Sequence, residues 1–150
     1  MDRVQKAKEL FKSGYNCSQS VVGAFADAFG FDYDMAMKMA EGMGGGMGRM
    51  RLTCGAVSGM AMLAGMKYSC AKAGDIKTRT KIYEKVREMS KDFKDKHGSI
   101  ICSELLGSSM PADNGAAPEA RTAQYYKKRP CVECIGDCAA IVQKRLLDEE

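Results

Sequence analysis

The sequence contains no tryptophan, only three prolines and a single histidine. Each scarcity removes an option. The lone His97 cannot build a His-rich zinc site, and it reads as a cationic residue closing a long helix. Few prolines and few β-branched runs leave little to interrupt helices or favour strands. The longest weakly polar run, residues 54–66, is 13 residues long. A membrane-spanning helix needs about 18, so membrane insertion is not expected. No apolar segment follows Met1, so the chain reads as cytoplasmic. The formal net charge is +4, with acids and bases interleaved as on solvated helix faces. No basic stripe is present, and nucleic-acid binding is not expected.

Against these absences stand seven cysteines, sixteen glycines and twelve methionines in 150 residues, 45% of them hydrophobic. That length suits one globular domain over residues 1–150, able to bury a core without disulfides or metal. A cytoplasmic chain of this size does not need cysteines as staples, so metal binding or redox chemistry gains weight. The methionines read mostly as core.

Periodicity and capping signals predict an all-α fold, a compact bundle of six or seven short helices without repeats or strands. Val4, Ala7, Lys8 and Phe11 share one face over residues 2–12. Asn16, with Gln19 three residues on, opens a second helix in a capping-box pattern. Its stripe is Cys17, Val21, Phe25 and Ala28, and Gly30 closes it. Asp32 caps a third helix and Thr53 a fourth, where Gly55 and Gly59 leave a flat face for close packing. Residues 75–97 give the longest helix, with Ile82, Val86, Met89 and Phe93 on one side. Ser99 caps a short helix. Residues 107–120 read as a polar loop, and the stretch RTAQYYKK adds a helical turn. Pro130 takes the first position of the C-terminal helix.

Placed on these helices, Cys17, Cys54, Cys102 and Cys131 all fall in a first turn. First-turn N–H groups have no partner within the helix, and the dipole puts positive charge there. Thiolate is favoured at such a site, with a lowered pKa. The plainer alternative for each is core packing, since free cysteine is often buried. Cys131, Cys134 and Cys138 also form a C-x-x-C-x-x-x-C series on one inward face, with Ile135 and Val142. Such a pair suits metal chelation or a redox couple. Cys70 lies near a helix C-terminus and reads as packing.

The glycine run at 44–48 matches neither G-x-x-x-x-G-K-[ST] nor G-x-G-x-x-G after a strand. Gly44, Gly45, Gly46, Gly48 and Gly55 instead read as backbone passing close to neighbouring helices or to a cofactor. Arg49 and Arg51 would hold an anion or pair with thiolates, against the plainer reading of surface charges. Glu41, Glu104 and Glu133 form no spaced carboxylate pair.

The segments GYNCSQSV, GMGGGMGRMRLTCGAVSG, CSELLG and RPCVECIGDCAAIV occur in that order. Together they resemble the C_GCAxxG_C_C family over about residues 10–145. The resemblance implies that Cys17, Cys54, Cys102 and Cys131 are the family's four cysteines. It also implies a small intracellular protein with redox or metal chemistry. Three functions stay open. The first is an iron–sulfur or other thiolate-bound metal centre for electron transfer. Its ligands would be Cys17, Cys54, Cys102 and Cys131, with Cys134 and Cys138 as further candidates. The second is a metal-free thiol–disulfide oxidoreductase, with Cys54 or Cys17 attacking and another of the cysteines resolving. The third is a non-enzymatic helical module with structural zinc. A redox partner is expected, and a homodimer is an open alternative.

Overall fold

Asp2, Asn16, Asp32, Asp75 and Thr122 each turn a side-chain oxygen onto the backbone N–H three residues further on. A helix begins after each, because the oxygen satisfies one of the donors that the first turn leaves free. These helices are α1 (Arg3–Lys12), α2 (Cys17–Phe25), α3 (Tyr33–Glu41), α5 (Ile76–His97) and α7 (Ala123–Lys128). Between and after them lie α4 (Gly55–Tyr68), α6 (Cys102–Leu106) and α8 (Cys131–Val142). The computed structural model describes residues 2–107 and 115–149. Part of the loop expected over 107–120 lies outside them. A 3-10 turn, Ala26–Phe29, prolongs α2, and a π-helical turn, Gln143–Asp148, prolongs α8. Among the described residues the fold is all-α, with one isolated bridge between Thr53 and Ile101.

The helix α2 sits at the centre, packed by α1, α3, α4 and α8. Every residue from Ser18 to Phe25 is buried, so the expected single stripe understates it. Its polar side chains are satisfied across helix boundaries. Ser18 donates to the Ala40 carbonyl at 2.6 Å, and Gln19 to the Met37 carbonyl at 3.2 Å, which ties α2 to α3. Small residues allow the close approach of α4: Gly59 faces Val21 and the Ser18 carbonyl. The long α5 buries only Met89 and Phe93 fully and leaves its charged faces to solvent. Arg145 clamps it to the C-terminal turn through a bidentate pair with Asp92, at 2.8 and 3.0 Å. Among the described residues no helix is long and apolar enough to cross a membrane.

Three expected caps are corrected. Thr53 pairs with Ile101, and the residue capping α4 is Cys54. Ile101, not Ser99, occupies the cap of α6, although the Ser99 hydroxyl accepts the Ile101 N–H. Pro130 is the cap residue of α8 rather than its first helical residue. The methionines divide: Met37, Met60 and Met89 are core, while Met35, Met39, Met47 and Met50 are exposed.

Candidate functional site

Three helices begin without a side-chain oxygen cap: α4, α6 and α8. Each has a cysteine at its start. Cys54 is the cap residue of α4 without a side-chain capping hydrogen bond, and the N–H groups of Ala56 and Val57 act on its thiol only by lowering its pKa slightly. A sulfur thus stands where serine or aspartate stands elsewhere. Cys102 and Cys131 are the first residues of α6 and α8, and Cys17 is the first residue of α2.

Backbone pairing sets two of these starts side by side. Cys54 donates its N–H to the Ile100 carbonyl at 2.7 Å, and Cys102 donates to the Leu52 carbonyl at 2.6 Å. These bonds flank the Thr53–Ile101 bridge, so the strand-like entries to α4 and α6 run antiparallel and in contact. Cys17 arrives from α2 beneath α4, where a Cβ on Gly55 would stand 2.4 Å from its sulfur. Close approach therefore requires glycine at 55.

The glycine run folds over this junction. Gly45, Gly46, Met47, Gly48, Arg49 and Arg51 all have positive φ, between 58° and 73°. Left-handed backbone costs a non-glycine residue about 1–2 kcal/mol, so this strain at three residues is concentrated where the thiols meet. The loop is held by backbone bonds such as Gly48 to the Gly42 carbonyl and Leu52 to the Gly46 carbonyl, at 2.9 and 2.8 Å. One loop N–H, that of Gly45, donates to the Cys17 sulfur.

The result is a cavity of about 80 Å³ lined by Cys17, Cys54, Cys102, Cys131 and Cys134. Gly45 and Gly55 also line it. Gly46 packs against the Cys102 Cβ, while Gly44 and Gly48 line an adjoining cleft. Cys138 is fully buried but does not line the cavity. Cys70 is exposed, which corrects its reading as packing. Among the described residues no three His, Cys, Asp or Glu side chains are grouped so as to hold a metal ion.

The thiol electrostatics run opposite to the helix-dipole expectation. Burial pushes the Cys17 thiol up, despite the Gly45 N–H. Burial also raises Cys54 and Cys138 well above the ordinary value of 9.0, with neighbouring cysteines adding to the effect. Cys131 and Cys134 are each pushed up to about 12, again chiefly by burial. Desolvation outweighs first-turn N–H groups once a site is dry. These thiols are protonated in the metal-free chain at neutral pH. The folded chain then keeps protons that the unfolded chain releases from about pH 9 upward. Their contribution is intact below that point and is lost as pH climbs toward 12. Each such thiol gives a slope of about 1.4 kcal/mol per pH unit within that window. Thermal unfolding of metal-free protein at pH 8, 9, 10 and 11 should therefore show a midpoint that holds to about pH 9 and then falls steeply. A flat profile would contradict the burial of the thiols.

Two features escaped the sequence. Arg51 is only 4% exposed, not a surface charge, and its Nη1 donates toward the Cys102 sulfur at 3.8 Å. His97 closes α5 as expected, but it also has company. Its Nδ1 lies 4.0 Å from the Cys134 sulfur, and its Nε2 lies 2.7 Å from the Asp137 carboxylate. Stacking on Phe93 at 4.5 Å fixes the ring. Cys134 and Asp137 are three apart on α8 and so share a face, which was visible. That α5 delivers His97 to this face was not.

No curated protein and no solved structure matches the chain. The model of one family, C_GCAxxG_C_C, described as "Putative redox-active protein", matches residues 15–145. That span includes all four helix-start cysteines, the glycine loop between them and the C-x-x-C series, and the chain belongs to the C_GCAxxG_C_C family.

Proposed function

We propose that the cavity holds an iron–sulfur centre for electron transfer, ligated by Cys17, Cys54, Cys102 and Cys131. The observation that carries this reading is their convergence: four helix starts, distant in sequence, bring sulfur to one small cavity. The donor set fits. Among the described residues no histidine, aspartate or glutamate lines the cavity; five cysteines do, with Asn16, Tyr125 and three arginines, and thiolate sulfur suits soft metals and iron–sulfur clusters. When bound, such a centre supplies one-electron transfer. The chain supplies the rest. Arg51 places a positive charge beside Cys102, which offsets thiolate charge. The Gly45 N–H faces the Cys17 sulfur, and such donors tune reduction potential. Phe11, Leu105, Leu106 and Ile135 line the cavity and exclude water.

A second reading, metal-free thiol–disulfide exchange, is favoured by the Cys134–His97–Asp137 array. There His97 accepts the Cys134 proton, the thiolate attacks a disulfide of the redox partner, and Cys131 resolves the mixed disulfide. Purification without oxygen, followed by iron and acid-labile sulfide analysis and an absorption spectrum, separates the two. The first reading expects brown protein containing both elements. Colourless, iron-free protein that forms a reversible internal disulfide would overturn it in favour of the second.

A further inference from the structure

Beside the sulfur cavity lies a cleft of about 300 Å³, lined by Arg49, Arg51, Arg121 and Arg129. Glu119 answers two of these charges, accepting from Arg49 at 3.2 Å and from Arg129 at 2.5 Å. Glu41 also lines the cleft but is exposed and makes no ion pair among the described residues. Arg121 donates to the Phe11 and Tyr15 carbonyls and stacks on the Phe11 ring. It has no carboxylate partner among the described residues.

Arg51 is the more telling case. It is 4% exposed, and its Nε is buried with no hydrogen-bond partner among the described residues. A thiol sulfur at 3.8 Å is a weak acceptor for Nη1, and it does nothing for Nε. A guanidinium removed from water is costly, and the carboxylate that feels its charge, Glu119, already pairs with Arg49 and Arg129. Left-handed backbone at Arg51, φ 62°, adds strain to the same residue. Both costs fall on a side chain aimed into a cleft whose arginines outnumber its carboxylates.

We propose that this cleft binds a small anion, carrying a phosphate or carboxylate group, on Arg51 and Arg121. Planar guanidinium forks match both groups, and the cleft volume falls at the lower end for small-ligand sites. Arg51, Arg121, Arg129 and Tyr125 line the cleft and the sulfur cavity alike. An anion held here therefore lies next to the sulfur cavity, although no cysteine lines the cleft itself. That it is the anionic end of a redox substrate rests on the function proposed above; that it binds does not.

Calorimetric titration with inorganic phosphate and with succinate, at constant chloride, tests the site in metal-free and iron-loaded protein. Saturable binding is expected in both forms. The tighter of the two probes identifies the ligand as phosphorylated or as a carboxylate. Arg51→Met should weaken binding at least about tenfold, the range for charge-assisted hydrogen bonds, and Arg51→Lys should restore part of it. Should Arg51→Met fail to fold, Arg121→Gln, expected to weaken binding several-fold, carries the test. No saturable binding of either probe overturns the proposal. So does binding that survives both substitutions. Arg51→Met protein that loses iron but keeps its anion affinity would assign Arg51 to the sulfurs alone, and also overturns it. A parent chain that binds phosphate but never takes up iron counts against the redox centre only.

Discussion

Cys54→Ser should fold at least as well as the parent chain and yet fail to hold iron. The two halves of this expectation have separate causes. Cys54 is the cap residue of α4, and no side-chain hydrogen bond caps that helix. Serine is among the best residues for that position, whereas alanine there costs about 1 kcal/mol. Serine also removes a buried thiol whose ionisation opposes folding at alkaline pH. What it cannot supply is a soft ligand. Second-shell changes alone typically cost about 10–100-fold in metal affinity. Loss of a ligand should leave about a tenth of the iron and sulfide or less after anaerobic reconstitution. Cys70→Ser is the matched control, since Cys70 is exposed and distant from the cavity lining. Denaturant melts and iron analysis on the same samples read both halves. A Cys54→Ser chain that retains its full iron would remove Cys54 from the ligand set.

Gly46→Ala should cost more stability than any other single methyl addition to the glycine loop. Gly46 has φ +73°, and a Cβ there would stand 2.7 Å from the Arg51 Cα, the Cys102 Cβ and the Leu52 nitrogen. Two of those three atoms are backbone and cannot swing aside. Left-handed strain of about 1–2 kcal/mol joins overpacking of about 1–3 kcal/mol. A loss of about 3 kcal/mol or more follows, out of a total of about 5–15. Gly30→Ala isolates the first component, because Gly30 has φ +77° and nothing within 4 Å of its added Cβ. Urea unfolding should show about 1 kcal/mol lost at Gly30 and several times that at Gly46. Equal losses would mean that the loop does not pack on Cys102 as described.

The parts of this architecture written in short-range chemistry were readable in the chain. Asn16 and Gln19 form the expected capping box, and Asp32 caps its helix as its position suggested. The four cysteines at helix starts followed from the same local logic. What eluded the sequence depends on residues far apart. Thr53 looks like a cap by composition, and only its pairing with Ile101, 48 positions along the chain, makes Cys54 the cap instead. The thiol pKa values were misjudged in sign because the helix dipole is local and visible, whereas burial is a product of the whole fold. Arg51 reads as either a surface charge or a partner of thiolates, and only the loop that turns it inward toward Cys102 decides between them. His97 seems solitary until α5 and α8 bring it to Cys134 and Asp137.

The central claim is that sulfur from four separate helix starts surrounds one redox centre. X-ray absorption at the iron edge, on protein loaded without oxygen, tests it most directly. The account predicts a first coordination sphere of sulfur alone, with an iron–iron distance characteristic of a cluster. Nitrogen or oxygen ligands in that sphere, or iron bound as isolated ions, would contradict it.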